Sequence, residues 1–191
     1  MKLSILIPVF NEEKTILQIL NIVNKFKGKN SHIEIIIIND GSKDKTLKFL
    51  EENKSLYDHL ISYEKNRGKG YAVKQGLNVA KGQYIIFQDA DLEYDPFEIE
   101  KFLDLIDKFE PDGIIGSRFV YNKYTRSHYF MNKIGNKILT FIFNLLYNTT
   151  FTDIYSCYFC FKKNLIDANQ LSTFGFEQHA EILSKAVLKG K

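Results

Sequence analysis

The stretch that decides the fold is residues 32–42, which read HIEIIIINDGS. Its first part is apolar almost without interruption, which is typical of a strand that is covered on both faces in a parallel sheet. Asp40 leaves this strand, and Gly41 after it allows a tight turn. We expect Ser42 to cap a helix that continues to Glu52. A turn and a helix cap account for Gly41 and Ser42, but they leave the carboxylate of Asp40 unexplained.

The same alternation of strand and helix extends in both directions from this stretch. Five strands are predicted, at Leu3–Val9, His32–Asn39, His59–Tyr63, Tyr84–Gln88 and Ile114–Ile115. Helices are predicted between them, at Glu12–Lys27, Ser42–Glu52, Lys69–Ala80 and Asp95–Phe109. This alternation indicates an α/β protein with a Rossmann-like, mostly parallel central sheet and helices on both faces. Ligands bind such sheets beyond the carboxyl ends of the strands, so the residues there are the candidates for function.

The last third of the chain changes in composition, but no linker separates it as a second domain. A helix is predicted at Phe130–Tyr147, a strand at Cys157–Phe161 and a further helix at Glu177–Leu188. The Phe130–Tyr147 helix is apolar nearly all round in its second half. It is either a core helix, which we favour, or a helix that lies on a membrane surface and receives a lipid. We treat residues 1–191 as a single domain.

The composition excludes several classes of protein. With 45% hydrophobic and 26% charged residues, the chain is neither disordered nor a disulfide scaffold. A net charge of +3 gives no reason to expect a nucleic-acid partner. Cys157 and Cys160 lack further ligands at zinc spacing, so we expect two reduced thiols. No signal peptide and no run of about 20 apolar residues is visible, which predicts a cytoplasmic protein, at the inner face of the membrane if the Phe130–Tyr147 helix lies on it.

Asp89-Ala90-Asp91 directly follows the predicted strand Tyr84–Gln88. Residues two apart in an extended segment point the same way, so both carboxylates can face one point. Two such charges repel each other, and a hard divalent cation, Mg²⁺ or Mn²⁺, would neutralise them. Glu93 could add a third oxygen ligand. The alternative interpretation is a solvated acidic turn that leads into a helix cap at Asp95.

Basic residues follow other predicted strands. The loop Asn66–Gly70 reads NRGKG and resembles a phosphate-binding loop, because its glycines let backbone N–H groups approach an anion while Lys69 supplies charge. It matches neither the Walker pattern nor the dinucleotide-binding glycine pattern. Arg118 and Arg126 are two of the three arginines, and their planar guanidinium groups suit phosphate oxygens. The alternative, above all for Arg126, is an ordinary surface position.

Taken together, these motifs resemble the family 2 glycosyltransferases, which have the GT-A fold. The matching runs occur in family order, at Ile5–Glu13, Ile36–Thr46, Asn66–Gly76, Gly82–Pro96 and Gly116–Phe119. Within the family, the chain is similar to the dolichol-phosphate mannose synthase-like branch, also called polyprenyl-phosphate glycosyltransferases. The motifs of this branch are DADLEYDP at 89–96, GSRF at 116–119, GNKILT at 135–140, Thr152-Asp153 and FGFE at 174–177.

The resemblance implies roles for particular residues. Three carboxylates would hold Mg²⁺ or Mn²⁺ on the diphosphate of a UDP- or GDP-sugar, namely Asp89, Asp91 and Glu93. The nucleoside pocket would be lined by Pro8, Phe10, Glu12 and Asp40, with Lys69 nearby. Donor or acceptor phosphates would be bound by Arg118 and Arg126, and Asp153 would lie near the sugar and the acceptor. Residues 1–119 would form the nucleotide-sugar-binding half and residues 120–191 the acceptor-side half.

The implied reaction moves one sugar from the nucleotide to a polyprenyl phosphate and inverts the anomeric carbon. A phosphate acceptor is already an anion, so it needs little base catalysis, and the metal stabilises the leaving diphosphate. A glycan hydroxyl is the alternative acceptor, and it would need a carboxylate base, for which Asp153 is the candidate. A non-catalytic nucleotide-binding remnant is the third possibility.

The chain departs from the branch pattern in three places, one of which is the segment Gln178-His179-Ala180-Glu181, whose acidic residue has no clear counterpart in the branch. Phe159 stands where the branch usually has a basic residue, which predicts that one phosphate contact is missing. The chain ends at Lys191, where relatives continue into a further strand and a basic acceptor loop, so we expect a truncated acceptor-side half.

Overall fold

The structure is a computed structural model that describes residues 2–29, 32–118, 130–175 and 177–190. Its strands are β1 (Leu3–Val9), β2 (Ile33–Asn39), β3 (His59–Ser62), β4 (Tyr84–Phe87), β5 (Gly113–Ile115) and β6 (Phe159–Lys162). Its α-helices are α1 (Ile16–Lys29), α2 (Thr46–Glu52), α3 (Lys69–Val79), α4 (Ile99–Phe109), α5 (Phe130–Tyr147) and α6 (Gln178–Lys189). Short 3₁₀ turns lie at Lys54–Leu56, Pro96–Glu98, Lys163–Leu165 and Ala168–Gln170.

The six strands form one sheet in the order β3-β2-β1-β4-β6-β5. The pairings β1–β2, β1–β4 and β2–β3 are parallel, whereas β6 runs antiparallel to both β4 and β5. The predicted mostly parallel sheet is therefore confirmed. Because β1 to β4 run in the same direction, the residues that follow them meet at one edge, which we call the carboxyl edge.

Side chains from both faces of the sheet are buried, which explains the continuous apolar runs. In β1, Ile5 and Ile7 pack in one core cluster, while Leu6 packs in the cluster on the other face. In β2, Ile37 packs in the first of these clusters and Ile38 packs in the second. All five of these side chains are fully buried. Burial of an aliphatic side chain contributes about 1.5–3 kcal/mol, so the two strands anchor the whole sheet.

The start of α2 differs from the prediction. This helix begins at Thr46, and Ser42 does not cap it. The hydroxyl of Ser42 instead accepts a hydrogen bond from the Asn11 backbone N–H at 3.0 Å. The carboxylate of Asp44 accepts the Thr46 N–H at 2.9 Å, so an aspartate two residues later supplies the acceptor expected of Ser42.

The predicted cap at Asp95 is confirmed, because its carboxylate accepts a hydrogen bond from the Phe97 N–H. The residues that it caps, Pro96–Glu98, form a 3₁₀ turn, and α4 begins only at Ile99.

Helix α5 is largely exposed, and the prediction that it is a core helix is wrong for most of its surface. Phe143 and Thr140 are buried on the side that faces the protein. The opposite side exposes a set of large apolar side chains: Met131, Ile138, Leu139, Phe141, Ile142, Leu145 and Leu146. We call this set the α5 apolar face. Among the helices within the described ranges, none is long and apolar enough to span a bilayer.

Candidate active site at the carboxyl edge

The loops that follow β1 and β2 are joined by direct hydrogen bonds. The backbone N–H groups of Asn11, Glu12 and Glu13 donate to Ser42 Oγ (3.0 Å), Thr46 Oγ1 (2.8 Å) and Asp44 Oδ2 (3.1 Å). In return, Asn11 Oδ1 accepts the Lys43 N–H at 2.7 Å and Glu13 Oε2 accepts the Lys45 N–H at 2.9 Å. Hydrogen bonds in both directions thus hold the loop after β1 and the loop after β2 together at the carboxyl edge.

Asp40 is buried under the loop that follows β3. It is 3% exposed, and its two carboxylate oxygens accept the backbone N–H groups of Arg67 and Gly68, each at 2.8 Å. The turn after Asp40 requires glycine, because Gly41 has φ +73° and a Cβ there would meet Asn66 N at 2.6 Å. Asp40 is therefore at the predicted edge, and it shapes the site by fixing the loop at residues 66–70.

The interpretation of residues 66–70 as a phosphate cradle is wrong for three of its N–H groups. Those of Arg67 and Gly68 donate to Asp40, and that of Gly70 donates to the Phe174 carbonyl at 2.8 Å. A backbone N–H that already has an acceptor is not available to an anion. Glycine is required here because the two backbones lie close together: a Cβ on Gly70 would meet the Phe174 backbone at 2.6 Å.

Lys69 and Asp89 form a largely buried ion pair. Lys69 Nζ lies 2.5 Å from Asp89 Oδ1, and the two side chains are 19% and 15% exposed. Burial alone would raise the pKa of Asp89, but the adjacent ammonium group outweighs it and lowers that pKa. The thiol of Cys157 lies 3.6 Å from Lys69 Nζ, and its burial raises its pKa to about 12, so it stays protonated. Cys157 is half-buried and Cys160 is buried, and the structure has both as free thiols.

Asp91 has the opposite environment from Asp89. Its side chain is exposed, and it accepts one hydrogen bond, from the Glu93 N–H at 2.8 Å. Partial desolvation raises the pKa of Asp91, and the negative charges of Asp89, Glu93 and Glu12 raise it further. No lysine or arginine within the described residues forms an ion pair with Asp91.

The structure does not assemble the three predicted metal ligands into one group. In the described part of the chain, no three or more His, Cys, Asp or Glu side chains are placed so that they could hold a metal ion. The physical reason is visible in the pairings: Asp89 is neutralised by Lys69, whereas Asp91 remains among other carboxylates. A divalent cation that is already bound to the phosphates of a substrate could still bind Asp91, because the negative charge of Asp91 is not neutralised.

Arg118 and Asp153 form the second buried ion pair of the site. Arg118 Nε and Nη2 donate to Asp153 Oδ2 and Oδ1 at 2.7 and 2.8 Å, and the backbone N–H of Arg118 adds a bond at 3.2 Å. Asn136 Nδ2 on α5 donates to Asp153 Oδ1 at 2.8 Å. Asp153 is 1% exposed. Burial would raise the pKa of Asp153, but the hydrogen bonds from Arg118 and Asn136 lower it below its ordinary value.

The remaining predicted residues lie around this edge. Pro8 and Glu12 are half-buried, and Phe10 is 44% exposed just after β1. Glu12 accepts a hydrogen bond from the Thr15 hydroxyl at 2.7 Å. Arg126 falls outside the described residues.

Several residues of the site were not predicted as such. Tyr94 accepts the Cys157 N–H at 3.1 Å, and Tyr158 donates to Gln88 Oε1 at 2.9 Å beneath the Asp95 turn. His179 is buried with no hydrogen-bond partner for Nε2 within the described residues, and burial lowers its pKa to about 4.

The sequence did contain a pattern that points to Asn136 as a residue facing the protein. Asn136 and Thr140 are polar, four residues apart in an apolar helix, and so lie on one face of it.

The sheet order, the antiparallel β6 and the acidic carboxyl edge define a GT-A glycosyltransferase domain. A family model described as glycosyl transferase family 2 matches residues 4–169, and the chain belongs to that family.

Relatives of known name match most or all of the chain but are longer than it. A dolichol-phosphate mannosyltransferase of Pyrococcus furiosus is 31% identical, over 100% of this chain and 53% of its own length. An undecaprenyl-phosphate 4-deoxy-4-formamido-L-arabinose transferase of Proteus mirabilis is 30% identical, over 91% and 54%. The chain therefore spans about half the length of these two relatives.

Solved structures support the fold. Glucosyl-3-phosphoglycerate synthase from Mycobacterium tuberculosis, in complex with Mn²⁺, UDP and glucosyl-3-phosphoglycerate, superposes with a TM-score of 0.73. It is 16% identical and matches 95% of this chain and 63% of its own. The expected GT-A fold is confirmed.

Proposed function

We propose that this protein transfers a sugar from a UDP- or GDP-sugar to a polyprenyl phosphate with inversion at the anomeric carbon. A phosphate oxygen of the acceptor forms the new bond to that carbon while the bond to the diphosphate breaks on the opposite side. Family membership and relatives named for transfer to dolichol or undecaprenyl phosphate support this proposal. Residues 1–119 would bind the donor and residues 120–191 the acceptor.

The single observation that carries the choice of acceptor is the state of Asp153. Both of its oxygens accept hydrogen bonds from Arg118, and Asn136 is a second partner. A carboxylate whose pKa is lowered in this way is a weak base, so it is a poor group to remove a proton from a sugar hydroxyl. A phosphate acceptor needs no such step. The guanidinium of Arg118, oriented by Asp153, would instead bind a phosphate oxygen.

Asp91 and Glu93 fit a divalent cation, whereas Asp89 does not. Mg²⁺ in proteins is commonly held by one or two carboxylates together with the phosphates of a substrate. The charge around Asp91, with Glu12 and Glu93 nearby, matches that requirement. A bound Mg²⁺ or Mn²⁺ would neutralise charge on the leaving diphosphate. We assign Asp89 the separate task of holding Lys69 at the donor site, with Pro8, Phe10, Glu12 and Asp40 around the nucleoside, and Arg126 at a phosphate.

A donor and acceptor panel tests this proposal. Labelled UDP-glucose, UDP-N-acetylglucosamine and GDP-mannose are each incubated with Mn²⁺ and either polyprenyl phosphate in vesicles or soluble glycan acceptors. We expect label from one donor to enter the lipid fraction. Transfer to the glycan alone would contradict the phosphate acceptor, and nucleotide binding without transfer to either would contradict catalysis.

We also propose that the α5 apolar face lies on the membrane that carries the acceptor. Its apolar side chains include Phe141 and Leu145, which are 68% and 73% exposed. Lys133 and Lys137 are exposed on the same helix, where they would meet anionic headgroups. Asn136 joins this helix to the Arg118–Asp153 pair, so a lipid phosphate at the membrane surface would lie near the site.

The double variant Ile138→Ser/Leu145→Ser should weaken binding to anionic vesicles by more than about tenfold, because each side chain contributes about 1.5–3 kcal/mol when buried. Vesicle flotation measures this. Phe109→Ser is the matched control, because Phe109 is 63% exposed on α4, a helix that packs in the core cluster on the other face of the sheet from the one that holds Phe143 of α5. Equal flotation of the double variant and the control would contradict the membrane contact.

A further inference from the structure

Glu181 on α6 binds a loop that the proposed reaction does not otherwise use. Its carboxylate accepts the backbone N–H groups of Ser172 and Thr173, each at 3.0 Å. It also accepts both hydroxyl groups, at 3.1 Å from Ser172 and 2.5 Å from Thr173. Lys185 adds an ion pair at 3.1 Å. One side chain thus fixes two consecutive residues of the loop at residues 171–175, which we call the 171–175 loop.

The strength of this attachment shows in the electrostatics of Glu181. Its side chain is 12% exposed. Desolvation would raise the pKa of Glu181, but the hydrogen bonds from Thr173 and Ser172 outweigh it and lower the pKa to about 2. The carboxylate is therefore ionised, and its hydrogen bonds are kept, at every pH at which the enzyme would work. Gln178 reinforces the attachment by donating to the Thr173 carbonyl at 2.8 Å.

The 171–175 loop presses directly on the first turn of α3. The Phe174 carbonyl accepts the Gly70 N–H at 2.8 Å. A Cβ added to Gly68 would meet the Phe174 oxygen at 2.8 Å, and one added to Gly70 would meet the Phe174 backbone at 2.6 Å. Two glycines therefore allow a contact between backbones that any other residue would push apart.

Lys69 lies between those two glycines. Asp40 holds the segment from one side through the N–H groups of Arg67 and Gly68, and the Phe174 carbonyl holds it from the other through Gly70. Both attachments fix the backbone on either side of Lys69, whose ammonium lies 2.5 Å from Asp89 Oδ1.

We propose that Glu181 is a positioning residue for the donor site: by fixing the 171–175 loop against the first turn of α3, it sets where Lys69 presents its charge to the donor diphosphate. This inference rests on the proposed function, in which Lys69 lies at the donor site. A purely structural role, in which Glu181 only stabilises the start of α6, is the competing explanation.

Two readouts separate these explanations: the hydrogen-exchange rate of the Gly70 amide and the affinity for UDP or GDP with Mn²⁺. In Glu181→Gln we expect Gly70 to exchange about tenfold faster and the nucleotide to bind about five- to tenfold more weakly. Thr173→Val removes only the shortest hydrogen bond to Glu181 and should shift both values in the same direction by about twofold.

Glu34→Gln is the matched control. Glu34 is also a buried carboxylate that accepts several hydrogen bonds, from Ser4 Oγ, Lys81 N and Gly82 N, but it lies at the opposite edge of the sheet. We expect this variant to lower the denaturation midpoint while leaving Gly70 exchange and nucleotide affinity unchanged.

Wild-type values of both readouts in Glu181→Gln would overturn the inference, as would losses no larger than those of the control. If Glu181→Gln does not fold, Thr173→Val decides by the same criteria. Failure of the wild type to bind any nucleotide would contradict the proposed function alone, because Gly70 exchange reports on the loop without a nucleotide.

Discussion

Asp91→Asn should abolish metal-dependent nucleotide binding and lower transfer about a thousandfold, which corresponds to about 4 kcal/mol of transition-state stabilisation. The reason is the environment of Asp91, which is exposed, lacks a basic partner within the described residues and is surrounded by Asp89, Glu93 and Glu12. Calorimetric titration of Mn²⁺ in the presence of UDP or GDP measures the binding, and the transfer assay measures turnover.

The fold of this variant should be at least as stable as that of the wild type. An aspartate whose folded pKa is raised destabilises the native state at neutral pH, since its favourable contribution is lost as the pH rises through that pKa. Asp89→Asn should behave differently, because it removes the carboxylate that neutralises the buried Lys69 ammonium, at a cost of about 3–5 kcal/mol. Asp104→Asn, an exposed carboxylate on α4, controls for the lost charge. Unchanged Mn²⁺ affinity in Asp91→Asn would refute the assignment.

Asp153→Asn should lower the free energy of unfolding by about 3 kcal/mol and transfer about a hundredfold. The substitution removes the charge that holds both guanidinium nitrogens of Arg118 in place. Arg118→Lys should reduce transfer similarly, because an ammonium cannot reproduce the two parallel bonds. Urea denaturation and the transfer assay measure the two effects. The half-buried pair Lys162–Asp112, which is more exposed than Arg118–Asp153, is the control, and Asp112→Asn should cost about 1 kcal/mol or less.

The pH dependence separates Asp153 as a positioning residue from Asp153 as a base. Because its folded pKa is below the ordinary value, its contribution to stability is present above about pH 4 and is lost as the pH falls through the folded pKa. Asp153→Asn should not show this acid-dependent loss. If Asp153 were the base, the transfer rate of the wild type would rise with a pKa between about pH 5 and 8, and Asp153→Asn would lack that rise. We expect the pH profiles of the two proteins to show no such difference. The appearance of such a difference would restore Asp153 as a general base.

Local sequence patterns predicted helices, strands and caps correctly where the interacting residues are close to each other in the sequence. The bounds of β1 and α5 agree with the predicted Leu3–Val9 and Phe130–Tyr147, and Asp95 caps its turn as expected. Ser42 failed as a cap because its hydroxyl is taken by Asn11, thirty-one residues earlier in the chain. That partner depends on the parallel pairing of β1 with β2, which no short-range pattern contains.

Helix α5 shows a second limit of sequence-based prediction, which concerns burial and not secondary structure. Its apolar composition was correctly read as helix, but composition alone does not say how much of a helix surface the rest of the fold covers. Helix α6 contacts α5, and the buried side of α5 is limited to the one that includes Thr140 and Phe143. Seven large apolar side chains are left exposed as a consequence.

The sequence by itself determined the α/β fold, the edge of the sheet that carries function and most of the residues found there. These follow from periodicity, from turn residues and from the rule that parallel strands end at a common edge. Only the tertiary structure decided which charges neutralise each other. Asp89 and Asp91 are two residues apart, yet one pairs with Lys69 and the other remains among carboxylates. Ion pairing depends on distances between loops that the sheet order brings together, and those distances are not encoded in the spacing of residues along the chain.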